Sequence, residues 1–200
     1  MMVPAPYHGL WRREGIWRTD GSSDTSTLVL WFQSARWHID SRGFAGNTVV
    51  DGARCEWRPE IASPALGPGV DAGIMRFTDA DTVEETGIDG SYRELWRRID
   101  AGPVRALRLE DDRGAQAWLM TGMDWLALAH GSPDARRQGA HASEFVFARG
   151  AGDAWVVAAA NLAQHAGRTI AWPARSWRTG EQVVLPLAAA RPWRISQLEP

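Results

Sequence analysis

The alternation of polar and apolar side chains in DGSYRELWRRIDAGP, residues 89–103, fits either a helix or a strand. As a helix, the segment begins with the Ser-x-x-Glu pattern of a capping box, and its apolar residues recur at helical spacing. As a strand, it places on one face Tyr92, Glu94, Trp96 and Arg98. The run between its flanking turn signals is only about nine residues, which is short for a helix, and strand-like segments surround it. We therefore predict a strand.

Short turn motifs recur along the chain and divide it into segments of strand length. Examples are TDGSSD at 19–24, Asp51-Gly52, AGP at 101–103 and DDRG at 111–114. The segments between them, such as TSTLVLWFQ, are rich in β-branched and aromatic residues. Asp51-Gly52 predicts a tight hairpin, and the sequence around DDRG predicts a second one. The pattern is typical of an all-β sandwich or barrel.

Two segments of the second half predict helix instead. Residues 132–139 begin with Ser-Pro-Asp and end with Gly, as helices do. Residues 153–167 are alanine-rich and lie between Asp153 and Gly167. Because two valines are adjacent and apolar residues occur on both sides of the segment, a buried strand is the alternative. We expect one or two short helices in this half.

Tryptophan is frequent, with 12 residues in 200, and many tryptophans neighbour an arginine. These pairs are Trp11-Arg12, Trp17-Arg18, Arg36-Trp37, Trp57-Arg58, Trp96-Arg97, Trp177-Arg178 and Trp193-Arg194. Adjacent side chains of a strand point to opposite faces, so we expect each Trp to face the interior and each Arg to face water. Large rings inside suit a wide barrel, because each ring removes about 150–250 Å² from water. Such pairs also stack on single-stranded nucleic acid, but no RNP motif is present.

Composition and charge narrow the class of protein. Hydrophobic residues make up 44% of the chain, which is enough for a sizeable core. The net charge of −2 gives no general attraction to nucleic acid or to anionic membranes. All basic residues are arginines, which excludes a Schiff-base lysine and the lysine of a P-loop.

The cysteine content and the N-terminal segment indicate the compartment. Cys55 is the single cysteine and cannot form an intramolecular disulfide, so we expect a reducing environment and a packed thiol. The segment MMVPAPYHGLWRR lacks the basic and apolar regions of a signal peptide. No apolar run reaches the roughly 18 residues of a membrane span. We therefore expect a cytoplasmic protein without a membrane partner.

Five motifs, in order, resemble the calycin (lipocalin-like) β-barrels, and among them a branch of uncharacterised bacterial and fungal proteins. The motifs are GLWRREGIWRTDG, TSTLVLWFQSARWHIDSR, FAG, CEWRPE and GSYRELWRR, which span residues 9–98. The Gly-x-Trp at the entry to the first calycin strand is matched at residues 9–11. The resemblance implies an antiparallel barrel in which Trp11 plugs one end, beneath either Arg98 or Arg194. It implies no particular activity.

The resemblance covers about half of the chain and leaves the domain organisation open. We expect one lipocalin-like domain over residues 1–200. The second half either extends the same barrel or forms a smaller one, which would divide the chain near residue 102 into 1–101 and 102–200.

Glu94 is the first candidate for chemistry. On the predicted strand, Tyr92 and Trp96 flank it, and burial among aromatic rings raises a carboxyl pKa toward values useful for general acid or base catalysis. Alternatively, Glu94 pairs with an inward arginine, because a buried charge is costly unless it is paired. Glu94 and Tyr92 are the catalytic candidates of the enzyme hypothesis.

A wider polar group shares the expected lumen. Asp40 and Arg42 share a face, as do Arg58 and Glu60, and with Arg98 they would form a network across the lumen. The same arginines alternatively clamp an anionic ligand. Together with aromatic residues, the predicted ligand contacts are Trp31, Trp37, Asp40, Arg42, Arg58, Tyr92, Glu94, Trp96 and Arg98.

We predict no cofactor and no metal site. The five histidines are scattered, without the H-x-H or H-E-x-x-H spacing of zinc sites. His38 is the one candidate for an axial haem ligand, but an ordinary hydrogen-bonded histidine is the simpler interpretation. There is no G-x-S-x-G elbow, and GPGVDAG lacks the spacing of a dinucleotide loop.

Three functions remain open at this point. The first is binding of a small, partly apolar or anionic molecule in the lumen, since a barrel of eight or more strands leaves room for one ligand. The second is an isomerase or lyase with Glu94 as general base. The third is a protein-interaction module with a filled barrel. No nucleic-acid partner is expected, and monomer and homodimer both remain open.

Overall fold

The computed structural model describes residues 2–62, 69–131, 143–187 and 191–199, and within these ranges its elements are strands and two 3-10 turns. The strands of the first sheet are β1 (Gly9–Arg18), β2 (Ser23–Asp24), β3 (Leu30–Gln33), β4 (Trp37–Asp40), β5 (Phe44–Asp51), β6 (Arg54–Ala62), β7 (Asp71–Asp79), β8 (Thr82–Gly87) and β9 (Tyr92–Asp100). Those of the second are β10 (Arg105–Glu110), β11 (Gln116–Thr121), β12 (Trp125–Gly131), β13 (Ser143–Ala151), β14 (Ala154–Ala160), β15 (Thr169–Ala171), β16 (Gln182–Val184) and β17 (Pro192–Glu199). The 3-10 turns are Ala5–Tyr7 and Ala163–His165.

The first sheet closes into an antiparallel barrel. Each strand from β3 to β9 pairs with the next, and β1 pairs with β3 on one side and β9 on the other. The segment from residue 92 to 100 is therefore a strand, as predicted, and the helical alternative is excluded. Its alternate residues Glu94 and Trp96 are buried, while Arg93 and Arg97 are exposed.

A bulge in β1 changes which of its side chains face the lumen. Trp11 and Arg13 lie opposite inward residues of β9, but the register shifts between Arg13 and Gly15. After the shift, Trp17 points outward and is 37% exposed, with the Arg93 guanidinium 5.2 Å from its ring. The expectation that this Trp faces the interior is wrong, because an extra residue reverses the alternation.

The second sheet has eight strands in the order β15-β14-β13-β12-β11-β10-β17-β16. In the part of the chain that the structure describes, no ladder joins its two edge strands, β15 and β16. These edges are three residues long each. A ten-residue connection, residues 172–181, joins the two strands.

The described residues form three apolar cores, one within each sheet and one between the two sheets. One fills the lumen of the closed barrel and includes Trp11, Trp31, Phe44, Trp57 and Trp96. A second fills the concave face of the other sheet and includes Leu109, Leu128, Trp155, Val157 and Trp193. The third lies between the sheets and includes Phe32, Trp37 and Ile39 from the barrel and Trp118 and Phe147 from the other sheet.

The helix predicted over residues 153–167 is absent. Ala154–Ala160 form β14, and the only helical residues are the 3-10 turn Ala163–His165. Gly152 adopts φ 64° in the turn before β14, which brings the segment back along β13. Trp155 and Val157 then enter the core, and this burial outweighs the helical preference of alanine. The other predicted helix, 132–139, lies outside the described residues.

The two predicted hairpins are confirmed. Asp51 pairs with Arg54 across a two-residue loop in which Gly52 has φ 59°. Glu110 pairs with Gln116 in the second hairpin. Within the described ranges, no helix combines the length and apolar character needed to cross a lipid bilayer.

Candidate functional site

Four tryptophans fill the centre of the closed barrel. The Trp31 ring contacts the other three, with centroid distances of 5.9 Å to Trp11, 5.4 Å to Trp57 and 5.8 Å to Trp96. All four side chains are buried. Indole rings therefore occupy the space in which a deep ligand of this barrel would lie.

Arg98 covers Trp11. Its guanidinium lies 4.6 Å from the ring centroid, and it donates hydrogen bonds to the main-chain oxygens of His8 at 2.8 Å and Pro6 at 3.1 Å. Arg194 is instead exposed on the second sheet. Of the two arginines left open by the sequence, Arg98 takes this place, and both of its Nη atoms donate to main-chain oxygens of the protein itself.

A buried pair of carboxyl groups, Glu85 and Glu94, lies in the same lumen. The two residues pair across β8 and β9 and are 2% and 1% exposed. The Tyr92 hydroxyl donates to Glu85 Oε1 at 2.7 Å, and the Trp96 indole N–H donates to Glu85 Oε2 at 3.0 Å. Glu85, which the sequence analysis did not select, is thus the carboxyl that Tyr92 and Trp96 hold.

Two glycines make room for this arrangement. Gly73 and Gly87 pair across β7 and β8. A Cβ atom on Gly73 would lie 2.5 Å from Glu85 Cγ, and one on Gly87 would lie 2.5 Å from Tyr92 Cε1. Because neither glycine carries a side chain, the carboxyl and the phenol can lie directly against the backbone of the barrel wall.

Glu94 is held by an arginine on β1. Arg13 donates from Nη1 to Glu94 Oε1 at 2.8 Å and from Nη2 to Asp24 Oδ2 at 3.2 Å. The alternative in which Glu94 pairs with an inward arginine therefore describes the structure, with Arg13 as the partner. Glu94 Oε2 is buried and has no hydrogen-bond partner among the described residues.

Asp40 and Arg42 form the second ion pair of the lumen. Arg42 donates to Asp40 from Nε at 3.0 Å and from Nη2 at 2.9 Å. The same Nη2 lies 3.9 Å from Asp71 Oδ2. The Arg42 guanidinium also lies 5.1 Å from the Phe44 ring and 6.0 Å from the Trp96 ring. The predicted pair is present, and it lies beside the aromatic wall.

Burial and crowding change the acidity of this cluster. Removal from water, and then the neighbouring Glu94 charge, raise the pKa of Glu85 from 4.5 to about 8. Glu85 therefore carries a proton at neutral pH. Burial also raises the pKa of Asp71, and burial together with Glu85 raises the pKa of Tyr92. Protonation thus lowers the charge of the cluster, because an unpaired buried charge is costly.

His38 is a buried, neutral histidine. The Thr48 hydroxyl donates its single hydrogen to Gln33 Oε1 at 2.8 Å, so His38 Nδ1, 3.0 Å away, must donate to Thr48. Burial, and then the Arg42 charge, lower the pKa of His38 to about 3. In the described residues, no group of three or more His, Cys, Asp or Glu is arranged to hold a metal ion.

Two of the predicted ligand contacts lie away from the lumen. Trp37 is buried in the core between the two sheets. Arg58 is on the outer surface, where it pairs with Glu56 at 2.6 Å. Glu60, its expected companion, pairs with Arg108 of the second sheet at 2.5 Å.

The second sheet has a cavity of about 280 Å³, lined by residues of β10, β11 and β14 and of the connection between β15 and β16. Five of its lining residues are Trp155, Trp172, Trp177, Arg105 and Arg175. The Trp172 and Trp177 rings stack with centroids 4.8 Å apart, and the Arg175 guanidinium lies 3.6 Å from the Trp177 centroid. No acidic residue is among the described residues that line it, although Glu181 pairs with Arg175 from outside. The cavity therefore offers flat apolar surfaces and positive charge.

Local sequence signals exist for both sites. The Asp89-Gly90 turn joins β8 to β9 and sets Glu85 opposite Glu94. In AWPARSW, residues 171–177, Pro173 interrupts a strand between two tryptophans, which indicates a connection that carries aromatic rings. Arg13 has no comparable signal, since its inward position depends on pairing along β1.

The comparisons with known proteins support the fold. No protein-family model matches the chain, and no curated protein matches it. Among solved structures, uncharacterized protein YLR301w from Saccharomyces cerevisiae is similar, with a TM-score of 0.68 and 14% sequence identity over 96% of this chain and 99% of that one. At this identity the likeness concerns the fold alone. It supports the antiparallel β-barrel and does not establish membership of the calycins.

Proposed function

We propose that this protein binds a small molecule with a flat apolar part and an anionic group, in the cavity of the second sheet. The observation that carries the proposal is the combination, in one cavity of about 280 Å³, of stacked tryptophan rings with arginines and without a lining carboxyl group. Planar rings bind between aromatic faces, and a guanidinium group pairs with carboxylate or phosphate. The volume of about 280 Å³ lies just below the usual range of about 300–1,000 Å³ for ligand pockets, so the ligand is small.

The position of the cavity supports the same conclusion. Trp172 and Trp177 lie on the connection between β15 and β16, which do not pair with each other in the described residues. Trp172 is buried in the core of the second sheet, and the half-buried Trp177 ring packs against this core. Arg105 is exposed at the rim and can meet a charged group on entry. In the closed barrel, by contrast, tryptophan rings occupy the lumen.

The alternative of an isomerase or lyase with Glu94 as base has weaker support. Arg13 occupies one oxygen of Glu94, and Tyr92 is hydrogen-bonded to Glu85. A general base must reach the proton that it removes, and Glu94 is 1% exposed. An interaction module would fit the filled barrel, but it leaves the cavity of the second sheet without a role.

Calorimetric titration with naphthoate and with naphthalenemethanol tests the proposal, because the two probes share a ring and differ in charge. We expect naphthoate to bind at least tenfold more tightly. Trp177→Ala should weaken naphthoate about tenfold or more, by removal of one aromatic wall of the cavity. Arg105→Gln should weaken naphthoate and leave naphthalenemethanol unchanged.

Trp17→Ala is the matched control, since Trp17, like Trp177, has an arginine over its ring, but it lies exposed on the first barrel. It should not change binding of either probe. Equal affinities for the two probes, or naphthoate binding that survives both cavity variants, would rule the proposal out.

A further inference from the structure

The two arginines in the described lining of the second-sheet cavity differ in their partners. Arg175 donates from Nη2 to Glu181 Oε1 and from Nη1 to the main-chain oxygen of Ser176 at 3.1 Å. The side chain of Arg105 makes no ion pair and no hydrogen bond within the described residues. Arg105 is therefore the arginine whose donors are available to a ligand.

Glu181 holds Arg175 and neutralises its charge. Both carboxylate oxygens of Glu181 are used, because Oε1 pairs with Arg175 and Oε2 accepts from the Arg178 amide at 3.3 Å. The hydrogen bond from Arg175 lowers the pKa of Glu181, so this carboxylate is ionised at neutral pH. The Arg175 guanidinium also lies 3.6 Å from the centroid of the Trp177 ring. Arg175 thus packs on an aromatic wall of the cavity and is occupied by a carboxylate of the chain itself.

The pairing of β10 with β11 places a hydroxyl group beside Arg105. Arg105 and Thr121 are direct partners in this ladder, and both line the cavity. By alternation they share the concave face with Leu107 and Leu119, which belong to the core of the second sheet. The Thr121 hydroxyl has no hydrogen-bond partner in the described part of the chain. Because directly opposed residues have Cβ atoms about 4.5–5.5 Å apart, one carboxylate can accept from both side chains.

The charges around the cavity match a ligand with one negative charge. Glu181 neutralises Arg175, which leaves Arg105 as the one arginine of the described lining without a carboxylate partner. Asp153 adds a further carboxylate nearby, since its Oδ1 accepts from the Ala174 amide at 2.8 Å. A second negative charge on the ligand would be desolvated without a cation to pair with, which is costly.

We propose that the ligand of this cavity is an aromatic monocarboxylic acid and that Glu181 is the residue that disfavours dianionic phosphate monoesters; this inference rests on the binding function proposed above. The carboxylate of the ligand accepts from Arg105 and Thr121, and its ring lies against the tryptophans of the cavity. Arg175 does not contact the carboxylate. It is a positioning residue, which supports the Trp177 ring while Glu181 keeps its charge paired.

Calorimetric titration of the full chain at pH 8 with naphthoate and with naphthyl phosphate tests this inference. The two probes share a ring, but the phosphate carries two charges at this pH, because its second pKa is about 6. We expect naphthoate to bind about tenfold more tightly or better. If naphthyl phosphate binds as tightly as naphthoate, the inference is overturned and the proposed binding of a flat anion stands. If naphthoate does not bind, the proposed function itself fails.

Glu181→Gln should raise the affinity for naphthyl phosphate about fivefold or more, because Arg175 becomes available to the second charge, and should raise that for naphthoate less. Glu14→Gln is the matched control. The Arg12–Glu14 pair lies on the first barrel, and its side-chain exposures of 47% and 30% nearly equal the 47% and 28% of the Arg175–Glu181 pair. It should change neither affinity. Equal shifts in the two variants, or an unchanged ratio of the two affinities in Glu181→Gln, contradict the role of Glu181.

Thr121→Val and Thr121→Ser test the position of the carboxylate. The valine variant keeps the shape of the side chain and removes the hydroxyl, so naphthoate should weaken about fivefold or more. The uncharged naphthalenemethanol should keep its affinity, which shows that the cavity of the variant is intact. The serine variant retains the hydroxyl and should bind naphthoate like the wild type. Equal loss of both probes in Thr121→Val, or naphthoate binding that the valine leaves unchanged, overturns the inference.

Discussion

The two sheets contain the same number of tryptophans and use them differently. Residues 11, 17, 31, 37, 57 and 96 lie in the first sheet, and residues 118, 125, 155, 172, 177 and 193 lie in the second or in its connections. In the closed barrel, three rings contact that of Trp31, and together they fill the lumen. In the second sheet, Trp155, Trp172 and Trp177 line a cavity, the first two as members of the core and Trp177 half-buried against it. The closed barrel thus has its rings packed on one another, whereas the second sheet leaves a cavity against three of its own.

The closing strand of the first sheet and the edge strands of the second sheet also differ in length. β1 is ten residues long and pairs along most of its length with β9, which closes the strand order of the first sheet. β15 and β16 have three residues each, and Pro173 follows β15 two positions later. A proline cannot donate to a ladder, which stops the pairing that would close this sheet.

The largest expected effect is on the folding stability of the closed barrel. Trp31→Ala removes the ring that touches three other tryptophans, and we expect the free energy of unfolding to fall by about 3–5 kcal/mol. Chemical denaturation measures this loss in the free energy of unfolding. The exposed Trp17→Ala should cost about 0.5 kcal/mol or less; similar losses for both would mean that the lumen is not packed by its rings.

Gly87→Ala should have the next largest effect. Its Cβ would lie 2.5 Å from the Tyr92 ring, so we expect a loss of about 1–3 kcal/mol from overpacking. In a Tyr92→Ala background the same change should cost much less, because the ring that it strikes is gone. Additive losses in this double-mutant cycle would show that Gly87 and Tyr92 do not share this space.

The acidic cluster of the closed barrel predicts that the folding stability of the protein depends on pH. The folded pKa of Glu85, about 8, lies above its ordinary value of 4.5, so the folded protein binds this proton more tightly than the unfolded chain does. The stability that it contributes is present below pH 4.5 and is lost as pH rises through 8, by up to about 1.4 kcal/mol per unit. Glu85→Gln should remove this slope, and Glu84→Gln, on the outer face where Glu84 pairs with Arg76, should keep it, as measured by denaturation at pH 5 to 8.

The smallest expected effect on stability is that of Trp177→Ala. Trp177 is half-buried on a connection and is not part of a ladder, so we expect a loss below about 1 kcal/mol. Binding of naphthoate should nevertheless fall at least tenfold. A large loss of stability in the same denaturation assay would indicate that this ring belongs to the core.

The sequence predicted what depends on alternation within one strand. Residues 92–98 show a period of two, with aromatic and charged residues on one face, and this face does line the barrel. The hairpins at Asp51-Gly52 and around 111–114 followed from turn chemistry, which is equally local. Local patterns were therefore sufficient for the fold class and for the strand that carries Glu94.

What the sequence did not show depends on pairing between distant segments. Arg13 reaches Glu94 from 81 positions away, through the β1–β9 ladder that closes the barrel. Trp37 alternates like a lumen residue, but a second sheet covers the other face of β4 and buries it there. In the alanine-rich segment at 153–167, strand pairing with β13 outweighed helix propensity. Each of these outcomes was decided by tertiary contacts.

The most direct test of the account is an indole N–H correlation spectrum of nitrogen-15-labelled protein during titration with naphthoate. The 12 tryptophans give one reporter each, and they are divided equally between the two sheets. The account predicts that the signals of Trp155, Trp172 and Trp177 shift, while those of Trp31, Trp57 and Trp96 stay in place. Shifts centred on the three barrel tryptophans, or no shifts at all, would contradict it.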